Sequence, residues 1–542
     1  MGYVIGVDVG SQSVKGLLLG GGGQVCASAS AELKIAHPRP AEAEQDPDDW
    51  TAALATVVTG LVRSGGINGG EVTALSLACQ VDGVVAMDAA GTALAPAIIW
   101  LDRRAERQTE ELLSRVGAER LFAITGLMPD SSHTAPKILW LREHLPEVYA
   151  RAVAFPPAAG YLLYQLTGVL AIDHANASSS LLYDVTARAW SRELLAAAGL
   201  SEAQLGAIHE STDVVGTLTP GAAADLGLST RCRVLVGTGD DHAGSIGAGV
   251  IAPGPVADVT GTAEPVAVCA ADPVFDDGLG GAVSDHAEFD VGHPDDAVFE
   301  RGAFEPGGSA RNGREHNAHE PATRPSGTGL VETHAHAVPG RYLVENPGFV
   351  SGGSTLWLAR NVLGVPQGEV LDLAGEAPAG SDGLLFLPAL SGSMAPRWNG
   401  RMRGVFAGLS MAHDRTALAR AVLEGCGYAL RDITDRFAEL GLGAGEIHVV
   451  GGGGRCRTWM QIKADVTGRP VRAVDVPEAT VLGAALLAAV ADGIFRDLDE
   501  AVRHSVRLAA ETYLPDPRTR EVYADAYGRY RALFDGVEEA LT

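Results

Sequence analysis

Two stretches, one at the start of the chain and one near its middle, repeat a single device. GYVIGVDVGSQSVKGLLLG (2–20) and GPVADVTGTAEPVAVCA (254–270) each read as a short aliphatic strand, a polar turn carrying glycine, and a second strand. A hairpin that opens each half constrains the chain to two related halves. At 542 residues it is also too long for one core. Around the first hairpin, the aliphatic runs VTALSLA (72–78) and GVVAMD (83–88) alternate with the helical segments PKILWLREHLPEVYARA (136–152) and GYLLYQLTG (160–168), an α/β pattern. The division is expected near residue 250, giving 1–250 and 251–542.

The second half predicts a helix over GGSTLWLARNVLG (352–364) and a long one over 414–440, capped by Asp414. A strand, four glycines and a helix follow in EIHVVGGGGRCRTWMQIKADVTG (446–468), and a helix buried on most sides lies within 477–495. Between Asp276 and Gly327 aliphatic clusters vanish, and Asp, Glu, His, Gly, Pro and Arg dominate. Such a segment cannot bury enough apolar surface to order itself, so it reads as a long mobile loop inserted in the second half. His316 and His319 have the spacing of two helical metal ligands, but no other sign of a metal site accompanies them.

A net charge of −26 argues against a nucleic-acid or anionic-membrane partner, and an anionic substrate would need local cations. The longest nearly apolar run, residues 479–491, is too short to cross a bilayer. The six cysteines form no Cys-x-x-Cys pair, which suits reduced thiols in a cytoplasm better than disulfides or zinc.

Three segments carry residue types suited to phosphate chemistry. In the opening turn Asp8 could hold a water-bound Mg²⁺, Gly10 lets backbone approach a ligand, and Ser11, Gln12 and Ser13 offer donors to phosphate oxygens. An ordinary hairpin with a polar tip is the alternative. In VLVGTGDDHAGSIGAG (234–249), Asp240 and Asp241 sit where a strand meets a helix, a pairing that tunes a carboxylate for general-base work, or that merely caps the helix. The run Gly451–Gly454 joins bare backbone to a helix N-terminus, yet it is neither a Walker nor a dinucleotide motif.

In order and spacing, GVDVGSQSVKG (6–16), PAIIWLDRRA (96–105), TAPKILWLREHLPEVYARA (134–152), GTGDDHAGSIGAG (237–249), VTGTAEP (259–265), GGGGRCRTWMQIKADVTGRPV (451–471) and EATVLGAALLA (478–488) together resemble the FGGY carbohydrate kinase family of the actin-like ATPase superfamily. The resemblance covers nearly the whole chain apart from the 276–327 insert and is greatest to its xylulokinase branch. It implies two actin-like, ribonuclease H-like domains with ATP and Mg²⁺ in the cleft between them. Asp8 would place the metal, Gly10, Ser11, Gln12 and Ser13 would meet the β- and γ-phosphates, and Gly261 and Thr262 would close on them from the other domain. Gly452, Gly453 and Gly454 match the adenosine-binding turn, with Arg457 bordering the base.

Asp240 matches the catalytic base, and Asp241 stands where the family usually has Asn or Gln as a sugar ligand. Sugar contacts are implied for Gln80, Val81, Asp82, Trp100 and Asp102. Here Val81-Asp82 replaces the Met-His of xylulokinases, while HTAPKILWL (133–141) and HAHAVPGRY (334–342) keep that branch's look. Gln80 and Asp82 could instead cap a strand end, Trp100 and Trp459 could be core, and Lys15 and Lys137 read as solvated or domain-face lysines. The implied reaction is ATP-dependent phosphorylation of a pentulose, xylulose first. A polyol kinase (erythritol, ribitol, glycerol) or a kinase for another ketose is the alternative, and a non-catalytic actin-like sugar sensor or ATPase is the alternative of another class. The partner is a small sugar or polyol, and a homodimer is compatible with the sequence.

Overall fold

The computed structural model describes residues 2–276, 329–476 and 478–541. Its first sheet is built from β1 (Tyr3–Val9), β2 (Ser13–Leu19), β3 (Val25–Glu32), β4 (Val72–Cys79), β5 (Val214–Thr217), β6 (Arg233–Leu235) and β7 (Thr238–Gly239). The strand order is β5-β6-β4-β1-β2-β3, with β7 paired to β4. β1 and β2 are antiparallel, as are β2 and β3, while β4 runs parallel to β1 and β6 parallel to β4. The second sheet is built from β8 (Val256–Thr260), β9 (Ala263–Ala270), β10 (Glu332–Ala335), β11 (Tyr342–Val350), β12 (Ile447–Gly451) and β13 (Val471–Ala473), ordered β10-β11-β9-β8-β12-β13. Its strands β11, β9, β8, β12 and β13 repeat the order and directions of β3, β2, β1, β4 and β6. The repeated hairpin in the sequence is therefore the visible edge of a repeated five-strand topology.

The helices needed below are α1 (Pro47–Ser64), α2 (Thr134–His144), α3 (Asp240–Gly247), α4 (Arg415–Glu439), α5 (Arg457–Thr467) and α6 (Ala479–Ala491). Asp414 caps α4, its carboxylate accepting the Thr416 and Ala417 N–H groups. The 136–152 segment breaks into α2 and a short helix Pro146–Arg151, because proline cannot donate the hydrogen bond that would continue the first. The 352–364 helix forms with wide π turns over Leu358–Leu363. GVVAMD (83–88) is not a strand: only single bridges form, from Val84 to Ile98 and from Met87 to Ala93 and Ala154.

Late in sequence, α6 nonetheless packs on the first half. A Cβ on Gly483 would meet the Ala243 carbonyl oxygen of α3 at 1.9 Å, and one on Gly6 of β1 would meet the Ala485 nitrogen at 2.3 Å. The small residues at 483–485 thus allow one helix to lie against α3 and β1 at backbone contact. Among the described residues no helix is long and apolar enough to cross a membrane. The expected insert, with His316 and His319, lies outside the described residues except for its first residue, and that one is corrected. Asp276 is fully buried, accepts the Leu330 and Val331 N–H groups and holds Arg436 at 2.5 Å, so it belongs to the packed edge of the second half.

Candidate active site

Parallel strands deliver their C-terminal ends to one edge of the first sheet, where ligands gather in open α/β sheets. Register places Asp8 of β1 opposite Ala78 of β4, and Thr238 and Gly239 of β7 opposite Ala78 and Cys79. Asp240, the first residue of α3, follows directly. Asp8 and Asp240 therefore flank the end of β4. Buried Asp173 fixes this edge by accepting the Thr238 hydroxyl at 2.8 Å and the Ser211 hydroxyl at 3.0 Å.

Electrostatics at this edge is dominated by carboxylates. Burial, then Asp241 and Asp8, push the Asp240 carboxyl well above the usual carboxylate range. Burial and Asp82 raise Asp241 to about 6. Burial lifts Asp8 to about 7 against the pull of Lys15. Lys15 is half-exposed and spends its ammonium on Glu478, 2.9 Å away at the start of α6, as a domain-face lysine would. The Asp8 Oδ1 atom is buried and has no hydrogen-bond partner among the described residues.

The opening turn is closed by Gly10 N–H donating to the Ser13 carbonyl at 3.1 Å. Two residues expected at the sugar are tied to it: Trp100 Nε1 donates to Ser11 Oγ at 2.8 Å, and Ser11 Oγ donates to Gln80 Oε1 at 3.3 Å. The chain of bonds continues from Gln80 Nε2 to Gln45 Oε1 and from Gln45 Nε2 back to the Ser11 carbonyl. Gln45 was not legible as a site residue; its signal is this closed ring of amides.

Asp82, with Val81 before it, occupies the loop after β4 at a φ of 62°. Two residues of the α2 N-terminus hold it there. His133 Nδ1 lies 3.2 Å from Asp82 Oδ1, and Lys137 donates to the Asp82 carbonyl at 2.6 Å. Lys137 is fully buried and also donates to the Ser132 carbonyl, so it is not a solvated lysine; burial drops its ammonium to about 7. Both His133 nitrogens face acceptors, and the surrounding carboxylates raise the ring to about 9 against the cost of burial, so it stands as an imidazolium.

Asp102 differs from what its motif suggested. It is fully buried, and its oxygens take the Ala43 N–H at 2.6 Å, the Arg104 N–H at 2.9 Å and the Arg104 guanidinium. With both oxygens committed, it anchors its loop and offers nothing to a sugar.

On the second half, Gly261 and Thr262 lie in the β8–β9 turn, their carbonyls accepting N–H groups from Ser351, Gly352 and Gly353. Beneath this turn a fully buried ammonium, Lys463 of α5, donates to Asp258 at 2.5 Å, Glu264 at 2.9 Å and Thr260 at 3.2 Å. The glycine run lies alongside. A Cβ on Gly451 or Gly453 would strike Thr260 at 2.4 or 2.5 Å, whereas Gly452 faces open space and Gly454 packs near Val449. Arg457 begins α5 but turns its largely exposed guanidinium to Glu511. Trp459 is buried, as a core residue should be.

A divalent cation fits the first-half edge on chemistry: a buried carboxylate oxygen without a partner is a hard oxygen donor. Mg²⁺ is commonly held by one or two carboxylates together with substrate phosphates. Among the described residues no cluster of three or more His, Cys, Asp or Glu is arranged to hold a metal by itself.

Comparison with known proteins places this arrangement. Residues 3–247 match the N-terminal domain of the FGGY family of carbohydrate kinases and residues 316–491 its C-terminal domain. The xylulose kinase of Klebsiella pneumoniae is 32% identical over 98% of this chain and 99% of its own, and that of Escherichia coli K12 is 30% identical over 98% of both. The crystal structure of xylulose kinase from Rhodospirillum rubrum superposes with a TM-score of 0.83 at 27% identity, covering 99% of each chain.

Proposed function

Because the chain belongs to the FGGY family of carbohydrate kinases, a family of phosphotransferases that use ATP on small sugars, we propose that it moves the γ-phosphate of ATP to a primary hydroxyl of a pentulose, xylulose first. The observation that carries this reading is the placement of Asp240 at the start of α3, beside Asp8 at the end of β1, with its carboxyl raised by burial and by its neighbours. Burial and neighbouring negative charge make a carboxylate a stronger base than an ordinary one.

In this reading the sugar hydroxyl gives its proton to Asp240 as its oxygen bonds to the γ-phosphorus and the bond to the ADP oxygen breaks. Asp8 would hold Mg²⁺, which when bound neutralises charge on the phosphates. Gly10, Ser11, Gln12 and Ser13 meet the phosphates from one half, Gly261 and Thr262 from the other. Gly452, Gly453 and Gly454 lie along the adenosine, with Arg457 at its outer margin. Gln80, Val81, Trp100 and Asp241 line the acceptor site, and His133 and Lys137 hold Asp82 toward it. The relatives named xylulose kinase support xylulose as acceptor.

A polyol acceptor is the second reading, favoured by Asp82 itself: a carboxylate beside an imidazolium accepts from hydroxyls where xylulokinases place a histidine. The six free thiols support a cytoplasmic setting. ADP release measured with xylulose, ribulose, erythritol, ribitol and glycerol tests the proposal. Xylulose should give the highest kcat/KM, and a sensor or plain ATPase would show no sugar-dependent release.

A further inference from the structure

The edge hairpin of the second sheet carries a cluster that the mechanism above does not use. Glu332 of β10 stands directly opposite Glu345 of β11 in the antiparallel register. Burial pushes both carboxyls above the usual range, Glu332 to about 7, and each residue is only 3–5% exposed. Between them His334, 5% exposed, brings Nε2 to 3.3 Å from Glu345 and 3.9 Å from Glu332. Its ring packs at 5.8 Å from His242, which follows Asp240 and Asp241 on α3, and His242 lies 5.7 Å from His336.

Among the described residues three buried ring nitrogens here, His242 Nδ1, His334 Nδ1 and His336 Nδ1, have no hydrogen-bond partner, and His334 Nε2 has only the poorly aligned Glu345 oxygen at 3.3 Å. Buried polar atoms are nearly always satisfied, so unsatisfied nitrogens at this density call for polar partners that the protein does not supply. Burial keeps all three rings neutral, so each retains a nitrogen lone pair as acceptor. The cluster also joins the acceptor loop directly. Glu332 accepts the Met128 N–H at 2.6 Å, the Met128 carbonyl faces His133 at 3.1 Å, and His133 holds Asp82.

The charges of Asp241 and Asp8 act on Asp240, that of Asp82 on Asp241, and those of Asp241, Asp82 and Asp240 on Glu345, so the hairpin neighbours the carboxylates of the site. Resting on the sugar kinase reading, we propose that Glu332, His334 and Glu345 form the far wall of the acceptor pocket. They would select acceptors bearing a hydroxyl at the end remote from the phosphorylated carbon. That hydroxyl would donate to the wall, and a site built to bond a hydroxyl rejects an analogue lacking it.

Calorimetric dissociation constants on the full chain test this without requiring turnover. Intact protein should bind xylulose at least tenfold more tightly than its analogue lacking the hydroxyl at the remote carbon. Glu345→Gln and His334→Phe, both close in size to the residues they replace, should each weaken xylulose binding at least tenfold and leave ATP binding within twofold. Equal binding of xylulose and the analogue overturns the wall, as do variants that bind xylulose within twofold of the parent. Should a variant fail to fold, the comparison of sugar and analogue on the parent protein decides alone. Absence of sugar-dependent ADP release would instead sink the kinase reading and leave these binding ratios readable.

Discussion

Asp8 and Asp258 occupy corresponding places in the two halves, each near the end of the central strand and just before a phosphate-type turn, yet their surroundings differ. Asp258 is fully buried and answered by an ammonium inside the same half, Lys463 at 2.5 Å, with Glu264 sharing it. Asp8 has a lysine in register on the neighbouring strand, but Lys15 turns away to Glu478, so no ammonium among the described residues bonds Asp8; the Oδ1 atoms of both aspartates lack a hydrogen-bond partner there. One topology thus serves two ends. Where a buried ammonium holds the strand-end carboxylate the turn is a fixed frame, and where none does we propose that the carboxylate receives a cation.

The sharpest way to break this contrast is to remove each lysine. Lys463→Met should destabilise by about 3–5 kcal/mol, because it strands two buried carboxylates. Adding Asp258→Asn and Glu264→Gln should recover most of the loss. Lys15→Met, which opens a half-exposed pair, should cost less than about 1 kcal/mol. Thermal melting of the four proteins checks both, and similar losses from the two lysines would erase the distinction.

Asp8 gives the next effect. Its folded pKa of about 7 lies above its usual 3.8, so the stability it allows is full at low pH and is lost as pH rises through about 7. Asp8→Asn should therefore raise the melting temperature at pH 8, by roughly a few degrees, and leave it unchanged at pH 4. Magnesium should stabilise the parent at pH 8 and not the variant. An equal response of both proteins to the metal would remove Asp8 as its holder.

How much of this was legible in the sequence follows from whether a signal is local. The hairpins, the Asp414 cap, the glycine-run turn and the small-residue face of α6 depend on neighbours in the chain, and they form where expected. Lys137 looked like a solvated lysine because its partners are carbonyls of loops folded over α2. Asp102 looked like a sugar ligand because no pattern shows that Ala43 and Arg104 will consume its oxygens. Glu332 and His334 alternate along the edge strand β10 as polar residues do when facing water, yet the His242 ring and the Met128 N–H of the first half lie against them and both are buried.

The smallest expected effect concerns the chain between the two described stretches of the second half. Asp276 and Gly329 lie side by side, since a Cβ on Gly329 would come within 2.8 Å of the Asp276 side chain. Replacing residues 277–328 with a short Gly-Ser linker, and keeping Asp276, should shift the melting temperature by no more than about 2 °C, because closing a loop between adjacent ends depends weakly on its length. Loss of soluble expression would show that the segment contributes to the second core.

The account rests most heavily on Asp240 as the group that takes the sugar's proton, and Asp240→Asn addresses it directly. With ATP and xylulose binding measured by calorimetry on the same preparations, the variant should bind both ligands within a few-fold of the parent while sugar-dependent ADP release falls by roughly 10²- to 10⁴-fold, the usual contribution of a general base. A variant that keeps both affinities and more than a third of the parent turnover would contradict the assignment.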